Sequence, residues 1–253
     1  LIYCSITGYG QSGPKAGEAA YDGAIQASSG MMSQNGHPET GPTRTGYMPA
    51  DMSTALNSAF AISAALYRKA TTGEGQHIDV AMLDTAIIMQ AAQFSNYLNQ
   101  GTLIGLRGNA SPTGQPTANV FPTMDGHIQI TALRQPQVEQ LFTELGLEQM
   151  LKDEKFATPD SRINHPEVIF DAMAQALNRQ TTQAWMKQLA PVGIPVAEVR
   201  DLEEVASDPD IPNRNALVTL PSPLDPAATV TVAKAGYVTN VDGPKVRSGP
   251  PML

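Results

Sequence analysis

The sequence predicts an α/β chain in two parts: a layer with long helices, then a small α+β unit. Three observations carry this. Leu1-Ile2-Tyr3-Cys4-Ser5-Ile6 is a mostly apolar run of strand length that opens into a Gly/Ser/Pro loop. Two stretches, 52–69 and 81–99, hold apolar residues at helical spacing and flank a short strand-like segment at 77–80. Beyond residue 105 a hairpin signal, three shorter helical patterns and another strand follow, which is an α+β order. The 253 residues suffice for one large domain or two modest ones.

Taken in order, the loop after the first strand runs through Gly17, and 21–28 can form a short helix. The segment 30–46 is loop-rich, with Gly36, Pro38, Gly41 and Pro42 as punctuation. The helix over 52–69 rests on Ala55, Leu56, Ala59, Phe60, Ile62 and Leu66, and Arg68 and Lys69 suit its C-terminal dipole. Thr71-Thr72-Gly73-Glu74-Gly75 ends it. The stretch 81–99 is apolar nearly all round, which predicts one buried helix. From Gly101 to Pro122 glycine, proline and asparagine recur, the composition of a domain crossing. Asp125-Gly126 reads as a hairpin turn between strands at 119–121 and 127–130. Helices follow at 136–145, 166–178 and 182–189, then a strand at 195–199. After Arg200 prolines and turns return, with a strand-like stretch at 229–232. No internal repeat is visible.

Composition narrows the function classes. Hydrophobic residues make up 42 % and charged residues 16 %, enough for a real core and against global disorder. A net charge of −8 argues against nucleic acid as a main partner and against a basic membrane-binding patch. No apolar run reaches the roughly 18 residues of a spanning helix. The single Cys4 cannot form an internal disulfide, which fits a reducing, cytoplasmic setting. The chain opens on Leu1 within a strand-like run and stops at Pro250-Pro251-Met252-Leu253 without a closing element. It reads as an internal piece of a longer protein, whose targeting signals would lie upstream.

Several motifs weaken on inspection. Gly8-Tyr9-Gly10-Gln11-Ser12-Gly13 matches the dinucleotide fingerprint, but Pro14 and Gly17 delay any helix. No acidic strand end follows about 20 residues on. An NAD-dependent oxidoreductase is therefore the weaker alternative. Thr72-Gly73-Glu74-Gly75-Gln76 lacks the lysine and spacing of a P-loop and reads as a helix C-cap and turn. His37, His77, His127 and His165 have no partner at metal-ligand spacing, so no metal is expected. No G-x-S-x-G elbow is present.

Asp51 is the position that matters most. It stands in Tyr47-Met48-Pro49-Ala50-Asp51-Met52-Ser53-Thr54, before the first long helix. The plain reading is a helix cap, which Ser53 or Thr54 could equally supply. The functional reading is a nucleophile. A helix N-terminus favours a carboxylate in its anionic, attacking form, and small neighbours (Gly46, Ala50, Ser53, Ala55) leave room for a substrate.

A family resemblance then enters. It runs through Ser5-Ile6-Thr7-Gly8-Tyr9-Gly10 with Gly13-Pro14, Ala20-Tyr21-Asp22, 26–32, Ala50-Asp51 and the run 64–84. It continues in Arg107-Gly108-Asn109, 121–126 and 193–199. In order and spacing these segments resemble the class III CoA-transferases, the CaiB/BaiF type that includes formyl-CoA and carnitine-CoA transferases. The resemblance implies a large Rossmann-like domain, of which 1–105 is the catalytic part. It also implies a linker and small α+β domain over 106–200, and a return linker over 201–253. Two such chains would thread through each other as an interlocked homodimer. The implied partners are an acyl-CoA and a small carboxylic acid, with coenzyme A as co-substrate and no cofactor. The family's CoA-phosphate contacts would lie upstream of Leu1.

The family's nucleophilic aspartate falls on Asp51, which implies covalent transfer through an aspartyl intermediate, with N–H groups near the glycine loop stabilising each oxyanion. Tyr21 and Asp22 align with residues beside the substrate, and Met82 with one lining the CoA channel. Their plain alternatives are packing for Tyr21 and Met82 and a helix-start carboxylate for Asp22. Two departures bear on function. The 2-methylacyl-CoA racemases of the same superfamily have a histidine where this chain has Tyr21, and a tyrosine is a poor base at neutral pH. That favours transfer, with racemisation as the alternative. The glycine run of the formyl-CoA branch is reduced to scattered Gly101, Gly105, Gly108 and Gly114, so oxalate is not assigned as acceptor. A non-catalytic reading also stands, in which this piece only folds or dimerises.

Overall fold

A computed structural model of the protein describes residues 1–214, 216–223, 225 and 227–246. The predicted lack of a closing element at 250–253 lies outside the described residues. The chain divides into two compact units, Leu1–Val196 and Ala197–Leu253.

The first unit begins with β1 (Tyr3–Thr7), then α1 (Asp22–Ser28) and a small hairpin of β2 (Gly36–His37) and β3 (Gly41–Pro42). Next come the long α2 (Pro49–Thr72) and β4 (His77–Ala81). β4 pairs with β1 in parallel, from Tyr3↔His77 to Thr7↔Ala81, so α1 and α2 lie in the crossover between two parallel strands. Gly73 ends α2 in the left-handed conformation, φ 77°, and its N–H caps Lys69 O, as the turn reading of 72–76 predicts.

The face that α2 buries differs from the one its apolar spacing suggests. Ala50, Thr54, Ser58 and Ala65 are buried, while Leu56, Phe60 and Leu66 are exposed. Small side chains let α2 lie close to its neighbours, and the large ones are left on the opposite face.

The stretch 81–99 is likewise not one buried helix. It is α3 (Met82–Met89) and α4 (Ala91–Gln100), broken at Gln90. The Gln90 side chain turns inward and donates to Ala86 O at 2.9 Å and Ser29 O at 3.1 Å. Ile88, Met89, Tyr97 and Leu98 remain exposed, so uniform apolarity here marks an uncovered face rather than a core helix.

The α+β part of this unit holds the main core. β5 (Ala118–Pro122) and β6 (His127–Thr131) form the predicted hairpin, followed by α5 (Gln135–Leu145), α6 (Glu154–Ala157), α7 (Pro159–Ile163), α8 (Pro166–Leu177) and α9 (Thr182–Leu189). β7 (Val196–Glu198) completes a sheet of order β5-β6-β7. Phe121, Ile128, Ile130, Leu141, Phe142, Ile169, Met173, Leu177 and Leu189 are fully buried together. Each contributes about 1.5–3 kcal/mol by removal from water. The indole N–H of Trp185 donates to Leu177 O at 2.7 Å, tying α9 to the end of α8.

Asp125 joins the hairpin turn to α9. Its carboxylate accepts Thr182 N–H at 2.8 Å, Thr182 Oγ1–H at 3.0 Å and Thr123 Oγ1–H at 3.3 Å. The Thr182 N–H bond is the main cause holding this carboxyl below its ordinary value; burial opposes it, and the two hydroxyls add to it. A depressed carboxylate stabilises the fold above its unfolded pKa and loses that contribution as pH falls through the folded value. Stability should therefore drop below pH about 3.9, and Asp125→Ala should lose stability at pH 7 while showing a flatter acid limb. Urea unfolding at pH 7 and pH 3, read by the fluorescence of the single tryptophan in α9, checks this. Equal acid limbs in the two proteins would refute it.

In the second unit the chain forms α10 (Leu202–Ala206), capped by Asp201, and an antiparallel pair, β8 (Leu217–Pro221) with β9 (Thr229–Ala233). β9 covers the predicted stretch at 229–232; α10 and β8 are additional. Arg200 and Asp208 form an ion pair, which holds the Asp208 carboxyl below its usual range.

Candidate functional site

The parallel strands β1 and β4 end side by side at Thr7 and Ala81. At that edge β1 runs into the glycine loop and β4 directly into α3, and Leu83 N–H reaches back to Gly8 O at 3.0 Å. Gly8 is required by close approach, because a Cβ there would stand 2.4 Å from Ala20 Cβ. The start of α2 reaches the same edge through the buried cluster of Ile25, Ala50, Met82 and Ala86. The carboxyl ends of parallel strands are where open α/β sheets bind ligands.

Asp51 lies here, inside the first turn of α2. The helix starts at Pro49, whose missing N–H costs nothing at that position, so Asp51 is its third residue and does not precede it. The Asp51 side chain is exposed, and none of its oxygens takes a hydrogen bond among the described residues. The plain cap reading therefore falls. Ser53 and Thr54 do not cap either: their hydroxyls turn back to Pro49 O and Ala50 O, each at 2.6 Å.

The cap is Asp22. Its Oδ2 accepts Ala50 N–H at 2.8 Å and Asp51 N–H at 3.1 Å, satisfying two of the orphan donors at the helix start. Its Oδ1 accepts Gln26 Nε2–H at 2.5 Å, and Gln26 Oε1 accepts Thr45 N–H at 3.1 Å. Asp22 and Gln26 are buried, so this chain of bonds runs from the loop before α2, through α1, to the backbone of Asp51. Motif reading did not single out Gln26 or Thr45. The available signal was the i, i+4 spacing of Asp22 and Gln26 on one helix face.

The other two sequence-predicted residues part company. Tyr21 is 86 % exposed beside Asp22, so the packing alternative does not describe it. Met82 is 9 % exposed and clusters with Ala50 and Ile25 under the first turn of α2, the burial that its packing alternative expects.

The glycine loop is not shaped as a dinucleotide cradle. No helix follows before Asp22, and Gln11 N–H is already bonded to the Asp79 carboxylate at 2.9 Å. Gly10 N–H is bonded to Thr7 Oγ1 at 2.9 Å, so two of the loop donors expected for oxyanions are committed internally. Among the described residues no group of three or more His, Cys, Asp or Glu could hold a metal ion. No described helix is long and apolar enough to cross a membrane. A separate cavity of about 500 Å³, lined by His37, Arg107, Gln115, Glu167 and Phe170 among others, has none of the predicted site residues in its wall.

The sequence pattern of CoA-transferase family III matches residues 1–253. The chain belongs to that family. It is 36 % identical over 220 residues to the succinate–glutarate CoA-transferase of Agrobacterium fabrum, covering 87 % of this chain and 55 % of that protein. It is 30 % identical over 254 residues to the acetyl-CoA:oxalate CoA-transferase of Acetobacter aceti, covering 100 % and 64 %. The crystal structure of a CAIB/BAIF family protein from Brucella suis matches it with a TM-score of 0.84 at 31 % identity, covering 100 % of this chain and 65 % of that one. The predicted α/β class is thus the fold of family III CoA-transferases, and this chain spans 55 % to 65 % of the length of those relatives.

Proposed function

We propose that the protein is an acyl-CoA:carboxylate CoA-transferase with Asp51 as covalent nucleophile. The observation that carries this is the uncommitted Asp51 carboxylate, exposed at the carboxyl edge of β1 and β4, on a helix start that a different carboxylate caps. Family membership supports the reaction class. Relatives named for succinate–glutarate and for oxalate transfer support small carboxylic acids as the exchange partners.

The steps balance without any further reactant. An Asp51 oxygen attacks the thioester carbonyl carbon of the acyl-CoA; the C–S bond breaks and CoA leaves as thiolate. The mixed anhydride so formed is attacked by that thiolate at the Asp51 carbonyl, which releases the donor acid as carboxylate and leaves an aspartyl-CoA thioester. The acceptor carboxylate displaces CoA thiolate from the thioester, giving a second anhydride. The thiolate then attacks the acceptor carbonyl, the new acyl-CoA departs and the Asp51 carboxylate is regenerated. Each exchange joins acyl derivatives of similar energy, so one difficult transfer becomes four easier ones. Coenzyme A is the co-substrate, and no step calls on a metal or cofactor.

An interlocked homodimer and a cytoplasmic setting belong to the same reading. The uncovered apolar faces of α2 and α4, with Phe60 and Leu98 each 73 % exposed, support burial against another surface. The lone cysteine supports a reducing compartment.

Hydroxylamine trapping tests the nucleophile. The intact protein, incubated with acyl-CoA and quenched with hydroxylamine, should carry a hydroxamate on Asp51 in peptide mass spectra. Transfer with no modification at Asp51 would refute the assignment. Uptake of deuterium at the acyl α-carbon from D2O, with no acceptor acid present, would move the protein to the racemase branch.

A further inference from the structure

We propose that Asp22 is a positioning residue that holds Asp51 in its attacking conformation, with Gln26 as the clamp. The inference rests on the reading of Asp51 as the nucleophile. It departs from the expectation that Asp22 contacts substrate. Asp22 is 6 % exposed, and both its oxygens are occupied, Oδ2 by two backbone N–H groups and Oδ1 by Gln26. A carboxylate so committed keeps only the second lone pair of Oδ1 out of about four acceptor sites, and that on a buried side chain.

What it does instead follows from the chemistry of helix starts. The first N–H groups of a helix lack intrahelical partners and attract any acceptor within reach. Acidic side chains in the first turn readily fold back onto such groups, as in a capping box. Asp51, the third residue of α2, is the nearest carboxylate in sequence to Ala50 N–H and to its own N–H. Asp22 occupies both groups from across the α1–α2 contact, at 2.8 and 3.1 Å. That removes the local bonds that would draw the Asp51 side chain back onto its own helix.

Gln26 makes the arrangement rigid. It is 1 % exposed, grips Asp22 Oδ1 at 2.5 Å and accepts Thr45 N–H at 3.1 Å. The loop entering α2 and the first turn of α2 are therefore referenced to one buried carboxylate. Ala50, between them, is fully buried against Ile25 and Met82, so the backbone of Asp51 is held from below as well. A nucleophile whose backbone is fixed and whose carboxylate is kept off its own helix gains most in the chemical step and little in binding.

The experiment compares Asp22→Ala, Asp22→Asn, Gln26→Ala and Asp51→Ala in the intact protein. The readouts are kcat, KM for acyl-CoA, thermal stability, and the single-turnover rate of the hydroxylamine-trappable intermediate at saturating acyl-CoA. Asp22→Ala should lower kcat and the single-turnover rate together by about 10–100-fold, the scale of a small misplacement of a reacting group, with KM within about 3-fold. Asp22→Asn keeps an acceptor for the two N–H groups but presents an NH2 group to Gln26, so it should recover part of the loss. Gln26→Ala, which keeps the cap and loses the clamp, should fall about 3–10-fold.

Should Asp22→Ala fail to fold, the Asn and Gln26 variants carry the same comparison. Full single-turnover rates in the Asp22 and Gln26 variants beside an inactive Asp51→Ala would overturn this inference alone. A rise in KM above about 10-fold with an unchanged saturated rate would also overturn it, since that is the signature of a substrate contact. An active Asp51→Ala would instead overturn the nucleophile on which it rests.

Discussion

Asp51→Ala is expected to lower CoA transfer by at least about 10³-fold, about 4 kcal/mol of transition-state stabilisation, while leaving the fold intact. Both halves follow from the geometry. On the proposed covalent route the side chain supplies the atom that forms the anhydride and the thioester, so no neighbouring group replaces it. It also makes no hydrogen bond among the described residues and is exposed, so its loss should change stability by no more than about 0.5 kcal/mol. Asp51→Asn should match the alanine variant, because a carboxamide cannot form the anhydride. Transfer is followed by chromatography of the two acyl-CoA species, and stability by thermal unfolding. A variant that keeps more than a few per cent of transfer would refute the covalent route. One that loses activity and several degrees of stability together would show that the carboxylate has a structural role as well.

How far this site was legible depends on the range of the interaction. The helix after Pro49 shows in local sequence, because a proline at the first turn and a glycine at Gly73 bracket a helical pattern. The identity of its cap does not show. Asp22 lies 28 and 29 residues from the N–H groups it satisfies, and local propensity is blind to such a partner. The family likeness placed Asp22 beside the helix start, but alignment carries position and not burial, so the bonds that engage both its oxygens do not show.

The break at Gln90 is hidden for a related reason. Its apolar neighbours continue a helical pattern on both sides, and only the inward bonds to Ala86 and Ser29 turn the chain. Apolarity all round 81–99 predicts burial only if the covering surface is part of the same chain. The short α6 and α7 have too few residues for a periodic signal, yet their Asp153 and Thr158 caps stand in the sequence, the second before a proline.

Arg162→Ala is expected to cost the α+β part about 3 kcal/mol, out of proportion to a residue with no ionic partner. Arg162 is fully buried and pairs with no carboxylate among the described residues. Its guanidinium donates to Phe156 O at 2.9 Å, Ala157 O at 3.3 Å and Gln135 Oε1 at 2.9 Å. Burial pulls its pKa below the ordinary arginine range, and the charge of Glu139 offsets part of that. The two carbonyls close α6, where a cation is favoured by the helix dipole. Truncation leaves Phe156 O and Gln135 Oε1 without this donor at half-buried positions, each worth about 1–3 kcal/mol before relaxation, while Ala157 O keeps Gln135 Nε2–H at 3.2 Å.

Arg162→Met separates the causes, because it restores much of the volume and none of the donors. If packing dominates, it should recover most of the loss; if satisfied carbonyls dominate, it should stay near the alanine value, and the geometry favours the second outcome. Arg162→Lys keeps the charge but reaches fewer acceptors and should fall between. Urea unfolding read by Trp185 measures all three. The same turn also positions Pro159 O, which accepts Gln115 Nε2–H at 3.0 Å and so anchors the segment that crosses from α4 into β5. That segment in turn bonds Gly108 N–H to Gly36 O at 2.9 Å, beside the α2 entry loop. Loss of Arg162 should therefore loosen the connection between the α+β core and the layer bearing Asp51. Its effect on activity should exceed that of other core substitutions of equal stability cost.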